Sequence, residues 1–148
     1  MAQLTLRARG PASAEVVWLR YAEPSRWSSW SPQVRGVDYP HARLRPQTTG
    51  RVRGPWRLAV PFRVEAVDEV AQTWSWTVQP QLAGRVITTV RLDHGVTPAP
   101  AASRRDRRGR AAKRAAPRSA TWLRLRGHAP VIATYAPIAR IALRHIVR

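Results

Sequence analysis

His94 ends an apolar alternation, following Val86, Thr88, Val90 and Leu92 at every second position, so an imidazole stands where a proton could be moved. A general base needs a positioned partner. Asp93 falls on the opposite face of the same run, and Tyr39 and Tyr135 are the other candidates. A lone histidine on an apolar face more often serves packing, so His94 is a weak catalytic candidate and no other catalytic residue is assigned. His145, on the apolar stripe of the C-terminal segment, is read the same way, whereas His41 and His128 fall in turns.

The eight carboxylates show no paired acid/base spacing, and Asp68-Glu69 reads as a turn. The chain lacks H-x-x-x-H, G-x-S-x-G and any glycine-rich phosphate loop. With no cysteine it has neither a disulfide nor a thiolate ligand or nucleophile. A metal or nucleotide site is not expected, nor is a cofactor.

Seven tryptophans are many for 148 residues. Trp27, Trp30, Trp74 and Trp76 fall on elements expected to face an interior, where they either pack as core or line a pocket for an apolar ligand.

The elements that must position these groups follow from periodicity. Gln3 to Arg9 alternates as a strand, and Ser13 caps a helix over Ala14 to Ala22 that Pro24 closes. A second short helix is expected from Ser25 to Trp30, then strands at Val34 to Tyr39 and Thr48 to Gly54. Leu58, Val60, Phe62, Val64 and Ala66 alternate as a strand in which Pro61 favours an edge or a bulge. Asp68-Glu69 turns it into Thr73 to Val78, with Trp74, Trp76 and Val78 on one face. Arg85 to Val96 reads as one long strand, and Ala120 to Arg126 as another, with Leu123 and Leu125 opposite Trp122 and Arg124. Ala129 to Val147 is a helix with an apolar stripe, which Pro137 should kink or split.

Residues 97–119 break the pattern with Ala, Pro and Arg, no aromatic and no apolar period, and are expected to be a disordered basic insertion. Net charge is +18, and eight basic residues against one acid lie between Arg104 and Arg118. Such a balance admits nucleic acid or an anionic surface as partner. However, Lys113 is the single lysine, an arginine bias that equally suits a solvated loop, and this reading is preferred. No apolar run of membrane-spanning length occurs and the N-terminus alternates, so a cytoplasmic protein without a signal peptide is expected.

Several stretches resemble the SRPBCC group, which includes START domains, Bet v 1 allergens and bacterial polyketide cyclase/dehydrase-like proteins. They are Pro11-Ala-Ser-Ala-Glu-Val-Val-Trp18, the Tyr21-Ala-Glu-Pro-Ser-Arg-Trp-Ser-Ser-Trp-Ser-Pro32 segment, the hairpin of Val60 to Val67 with Thr73 to Val78, the strands Arg91 to Val96 and Thr121 to Gly127, and the helix from Pro130 to Val147. The resemblance implies an α+β helix-grip fold in one domain, residues 1–148. A curved antiparallel sheet of six to seven strands would wrap a long C-terminal helix, with two short helices after the first strand.

The resemblance implies binding of a hydrophobic or amphipathic molecule (a lipid, polyketide or isoprenoid-like compound) in an internal cavity. Expected lining residues are Trp27, Trp30, Phe62, Val64, Trp74, Trp76, Val90, His94 and Tyr135. The alternatives are a cyclase/dehydratase-type enzyme, and a nucleic-acid or ribosome-associated protein acting through its basic surface. The absence of a catalytic constellation favours binding over catalysis.

Overall fold

The computed structural model describes residues 1–99 and 117–148, except the side chain of Arg57. Strand β1 (Ala2–Gly10) leads to α1 (Ala14–Ala22), whose first turn is capped by the Ser13 side chain accepting from the Val16 amide at 3.3 Å. A 3-10 turn at Pro24–Arg26 runs into the one-turn helix α2 (Trp27–Trp30). Strands β2 (Gly36–Asp38), β3 (Thr48–Arg53), β4 (Ala59–Asp68) and β5 (Thr73–Val78) follow. A small separate hairpin, β6 (Gln81–Leu82) and β7 (Arg85–Val86), precedes β8 (Val90–Pro98), β9 (Ser119–Gly127) and the helix α3 (Ala129–Ile146).

Seven strands form one antiparallel sheet in the order β1-β9-β8-β5-β4-β3-β2. Helix α3 crosses it against β1 and β9. The architecture is the expected α+β one, because a sheet with one apolar face must be covered and α3 is long enough to cover it. Among the described residues no helix is long and apolar enough to cross a membrane.

Helix α3 is pinned at its C-terminal end. Arg20 donates to the carbonyls of Ile146 and Arg148 at 2.6 and 2.9 Å, satisfying acceptors that a helix end leaves free. The Ala12 amide donates to Val147 at 3.0 Å. Gly10 permits this approach, since a Cβ there would run into the Val147 backbone. The helix runs unbroken through Pro137 and does not split off a first turn. Pro137 and Ala133, whose carbonyl loses its helical donor, both face solvent, where water can replace that bond.

Two expected strands and the basic insertion differ in detail. In β4 the register shifts between Val64 and Ala66, a bulge that passes the inward position from the even residues to Val67 and leaves Ala66 exposed. Pro61 lies in an interior strand. Its carbonyl accepts from Gln79 just past the end of β5, so the missing amide faces a place where the ladder has already stopped.

Arg85 to Val96 is not one strand. The β5–β8 ladder ends at Val78 opposite Val90, and Pro80 has no N–H to extend it. Ala83 and Gly84 turn the chain at positive φ, 49° and 75°, so Arg85–Val86 pairs with Gln81–Leu82 instead. The basic break is narrower than 97–119, because Thr97 and Pro98 pair with Ala120 and Ser119 in the ladder. The Ala99 amide bonds Arg118 and the Arg118 amide bonds Gly10. Residues 100–116 of the expected insertion, including Arg104 to Arg114, lie outside the described residues.

Candidate functional site

Helix α2 presents Trp27 and Trp30 three residues apart, which puts both indoles on one side of a single turn. Their N–H groups donate to the carbonyls of Tyr21 and Arg20 at 2.9 and 3.0 Å, at the C-terminal end of α1. Two orphan carbonyls of a short helix thus anchor two rings. From the sheet, the inward faces of β5 and β8 contribute Trp74, Trp76, Val90, Leu92 and His94.

Between these elements and α3 lies a cavity of about 370 Å³. It exists because α3 turns the small side chains of Ala139 and Ala142 toward the sheet, while Leu123 and Leu125 of β9 form the facing wall. It reaches the surface beside Leu58 and Ile138, which line it and are themselves exposed.

Seven of the nine expected residues line this space: Trp27, Trp30, Trp74, Trp76, Val90, His94 and Tyr135. Phe62 and Val64 do not. The Phe62 ring packs against Trp27 and Trp76 with centroids 5.6 and 5.3 Å apart, and these two rings stand between it and the cavity. Gly50, opposite Phe62 in the β3–β4 ladder, leaves room for that ring. Val64 is fully enclosed in the same core cluster.

His94 is buried, and its Nε2 accepts from the Trp76 indole at 3.0 Å. Its one ring proton therefore sits on Nδ1, a buried atom without a partner among the described residues. Burial lowers its pKa to about 3 against the opposing charge of Asp93, so the ring is neutral near pH 7. None of the three partners considered for it bonds to it. Asp93 is held on the outer face by Arg126 and Arg91 at 2.6 and 3.2 Å, and these two arginines outweigh its partial burial and lower its pKa. Tyr39 bonds Thr48, and Tyr135 accepts from Gln33 at 3.3 Å. The ring nearest His94 besides the indoles is Tyr21, 4.9 Å away.

Gln33 and Ser31 also line the cavity, and sequence periodicity has no means of finding them, since both fall in an irregular segment after α2. The Gln33 Oε1 atom is buried without a donor among the described residues. Tyr135, with its pKa raised by burial against the bond from Gln33, keeps its own proton to donate. Among the described residues no arginine, lysine, aspartate or glutamate lines the cavity. Nor do they include a group of three or more His, Cys, Asp or Glu suited to a metal ion.

No protein-family model matches the chain. No curated protein matches it either. Solved structures do. It is similar to the allergen Ara h 8.0201 at 11% identity and a TM-score of 0.65, over 99% of this chain and 97% of that one. It is similar to a protein of Nitrosospira multiformis at 9% identity and a TM-score of 0.72, over 99% and 94% of the two chains. The protein XoxI from Bacillus cereus matches at 12% identity and a TM-score of 0.70, over 99% and 93%. The chain thus has the Bet v 1-like helix-grip fold.

Proposed function

We propose that the protein binds an uncharged, mainly apolar small molecule carrying one hydroxyl or carbonyl group. The observation that carries this reading is the composition of the cavity wall. A chain of net charge +18 turns none of its described charged residues toward a cavity of about 370 Å³. That volume lies in the lower part of the range for small-molecule pockets, roughly 300–1,000 Å³. A carboxylate or ammonium group taken into this wall would lose its hydration and meet no counter-charge among the described residues. A hydroxyl could donate to Gln33 Oε1, which has no donor among the described residues, and accept from Tyr135.

The narrower reading, a polyketide cyclase or dehydratase, needs a proton-transfer group. His94 is the candidate at the wall, but its basic nitrogen already accepts from Trp76 and its pKa is lowered to about 3. A general base works best with a pKa near the working pH. Binding is the reading that the geometry supports best.

The test is displacement of a neutral fluorescent probe by straight-chain ligands of one length, an alcohol, a carboxylate and an ammonium. The alcohol should displace the probe at a concentration about ten-fold or more below either ion, a gap of about 1.4 kcal/mol or more. Equal displacement by the carboxylate, or no probe binding at all, would overturn the proposal.

A further inference from the structure

The mouth of the cavity is ringed by apolar side chains that stand in water. Trp56 is 95% exposed, at a positive φ of 53°, and its ring packs on no aromatic neighbour among the described residues. It sits between Pro55 and Leu58, both of which line the cavity. The β6–β7 hairpin leaves the wall at Pro80 and is tied back by the Ile87 amide donating to the Pro80 carbonyl at 2.9 Å. It exposes Leu82, Val86 and Ile87. Ile138 of α3 is exposed beside the same opening. Single exposed apolar residues are ordinary, but a group of six around one opening marks a contact surface.

The charge around this rim has one sign. Residues 54–64, 79–92 and 117–148 contain no aspartate or glutamate. Arg85, in the turn of the β6–β7 hairpin, is exposed and forms no ion pair among the described residues. A second copy of the chain would set arginine against arginine on this face, so self-association through it is disfavoured. Apolar and aromatic side chains flanked by unpaired arginine fit a bilayer that offers acyl chains beneath anionic headgroups.

We propose that this rim docks the protein on an anionic membrane surface, with the cavity mouth against the acyl region, so that an apolar ligand passes between bilayer and cavity without crossing water. The purpose of the docking rests on the cavity being a binding site, but the docking itself is measured separately.

The test is co-sedimentation of the full chain with vesicles of phosphatidylcholine alone and of phosphatidylcholine mixed with phosphatidylglycerol. Wild type should bind the mixed vesicles, and Trp56→Ser combined with Leu82→Ser and Ile87→Ser should lower partitioning about ten-fold or more. Lipids brominated along the acyl chain should quench the tryptophan fluorescence of wild type and much less that of Trp56→Phe, which still binds. Equal partitioning of wild type and the triple variant would overturn the proposal, since charge alone would then account for binding. So would failure to bind mixed vesicles, including the case where the rim binds an acidic protein instead. A triple variant that retains the neutral probe loses docking without losing the cavity, which keeps the two readings distinguishable.

Discussion

Trp76 and His94, on neighbouring strands β5 and β8, share one hydrogen bond of 3.0 Å in which the indole donates and the imidazole Nε2 accepts. Trp74, directly opposite His94 in the ladder, stacks on the same ring at 4.6 Å and 8°. The arrangement holds the neutral imidazole. Protonating it would turn an acceptor into a donor facing a donor and bury a charge.

Acid should therefore weaken the fold through His94. Its pKa is about 3 in the folded protein against an ordinary 6.5, so between these values the unfolded chain takes up a proton that the folded chain refuses. Stability falls as the pH falls through that window, by up to about 1.4 kcal/mol per pH unit. His94→Gln should melt with a flatter pH dependence across it, whereas parallel melting profiles would count against a buried neutral His94. Asp93, also held below its ordinary value, loses its contribution only at more acidic pH.

A second prediction concerns the fully buried Tyr21. Its hydroxyl meets Thr121 Oγ1 at 2.7 Å, and Thr121 in turn donates to the Gly95 carbonyl at 2.9 Å. Thr121→Val should cost about 1–3 kcal/mol by leaving the Tyr21 hydroxyl unpaired in the core. Adding Tyr21→Phe should cost little more, and denaturant titration of the four proteins of this cycle measures the coupling. Strict additivity would show that the two hydroxyls do not act together.

Gly10→Ala tests the anchoring of α3. The added methyl meets the Val147 backbone, which cannot rotate aside as a side chain could. We expect a loss of about 2 kcal/mol or more, seen as a lower denaturation midpoint. Unchanged stability would mean that the end of α3 can shift away from β1.

Ala139→Phe should fill the cavity from the helix side. Ala139 is buried and lines the space, so the larger ring can enter a void rather than packed core. Probe binding should be lost while stability changes by less than about 1–3 kcal/mol, the ordinary cost of overpacking. Retained probe binding would place the ligand elsewhere.

Sequence alone determined the elements whose pattern is local. The Ser13 cap and Pro24 bound α1, the alternation of Trp74, Trp76 and Val78 specifies β5, and the apolar stripe beginning at Ile132 marks the helix that covers the sheet. Each is written in a few consecutive residues through a period of 3.6 or 2. The candidate site was legible to the same extent, because inward faces of strands and a tryptophan pair on one helical turn are matters of spacing.

Only the tertiary structure decided what such spacing leaves open. The bulge at Glu65 and the end of the ladder at Pro80 depend on how far a partner strand runs, which no local period records. Whether an inward ring lines the cavity or packs behind it depends on its neighbours across the fold. Phe62 and Trp76 face the same way from adjacent strands, yet only Trp76 lines the cavity, because the indoles of Trp27 and Trp76 lie between Phe62 and the open space.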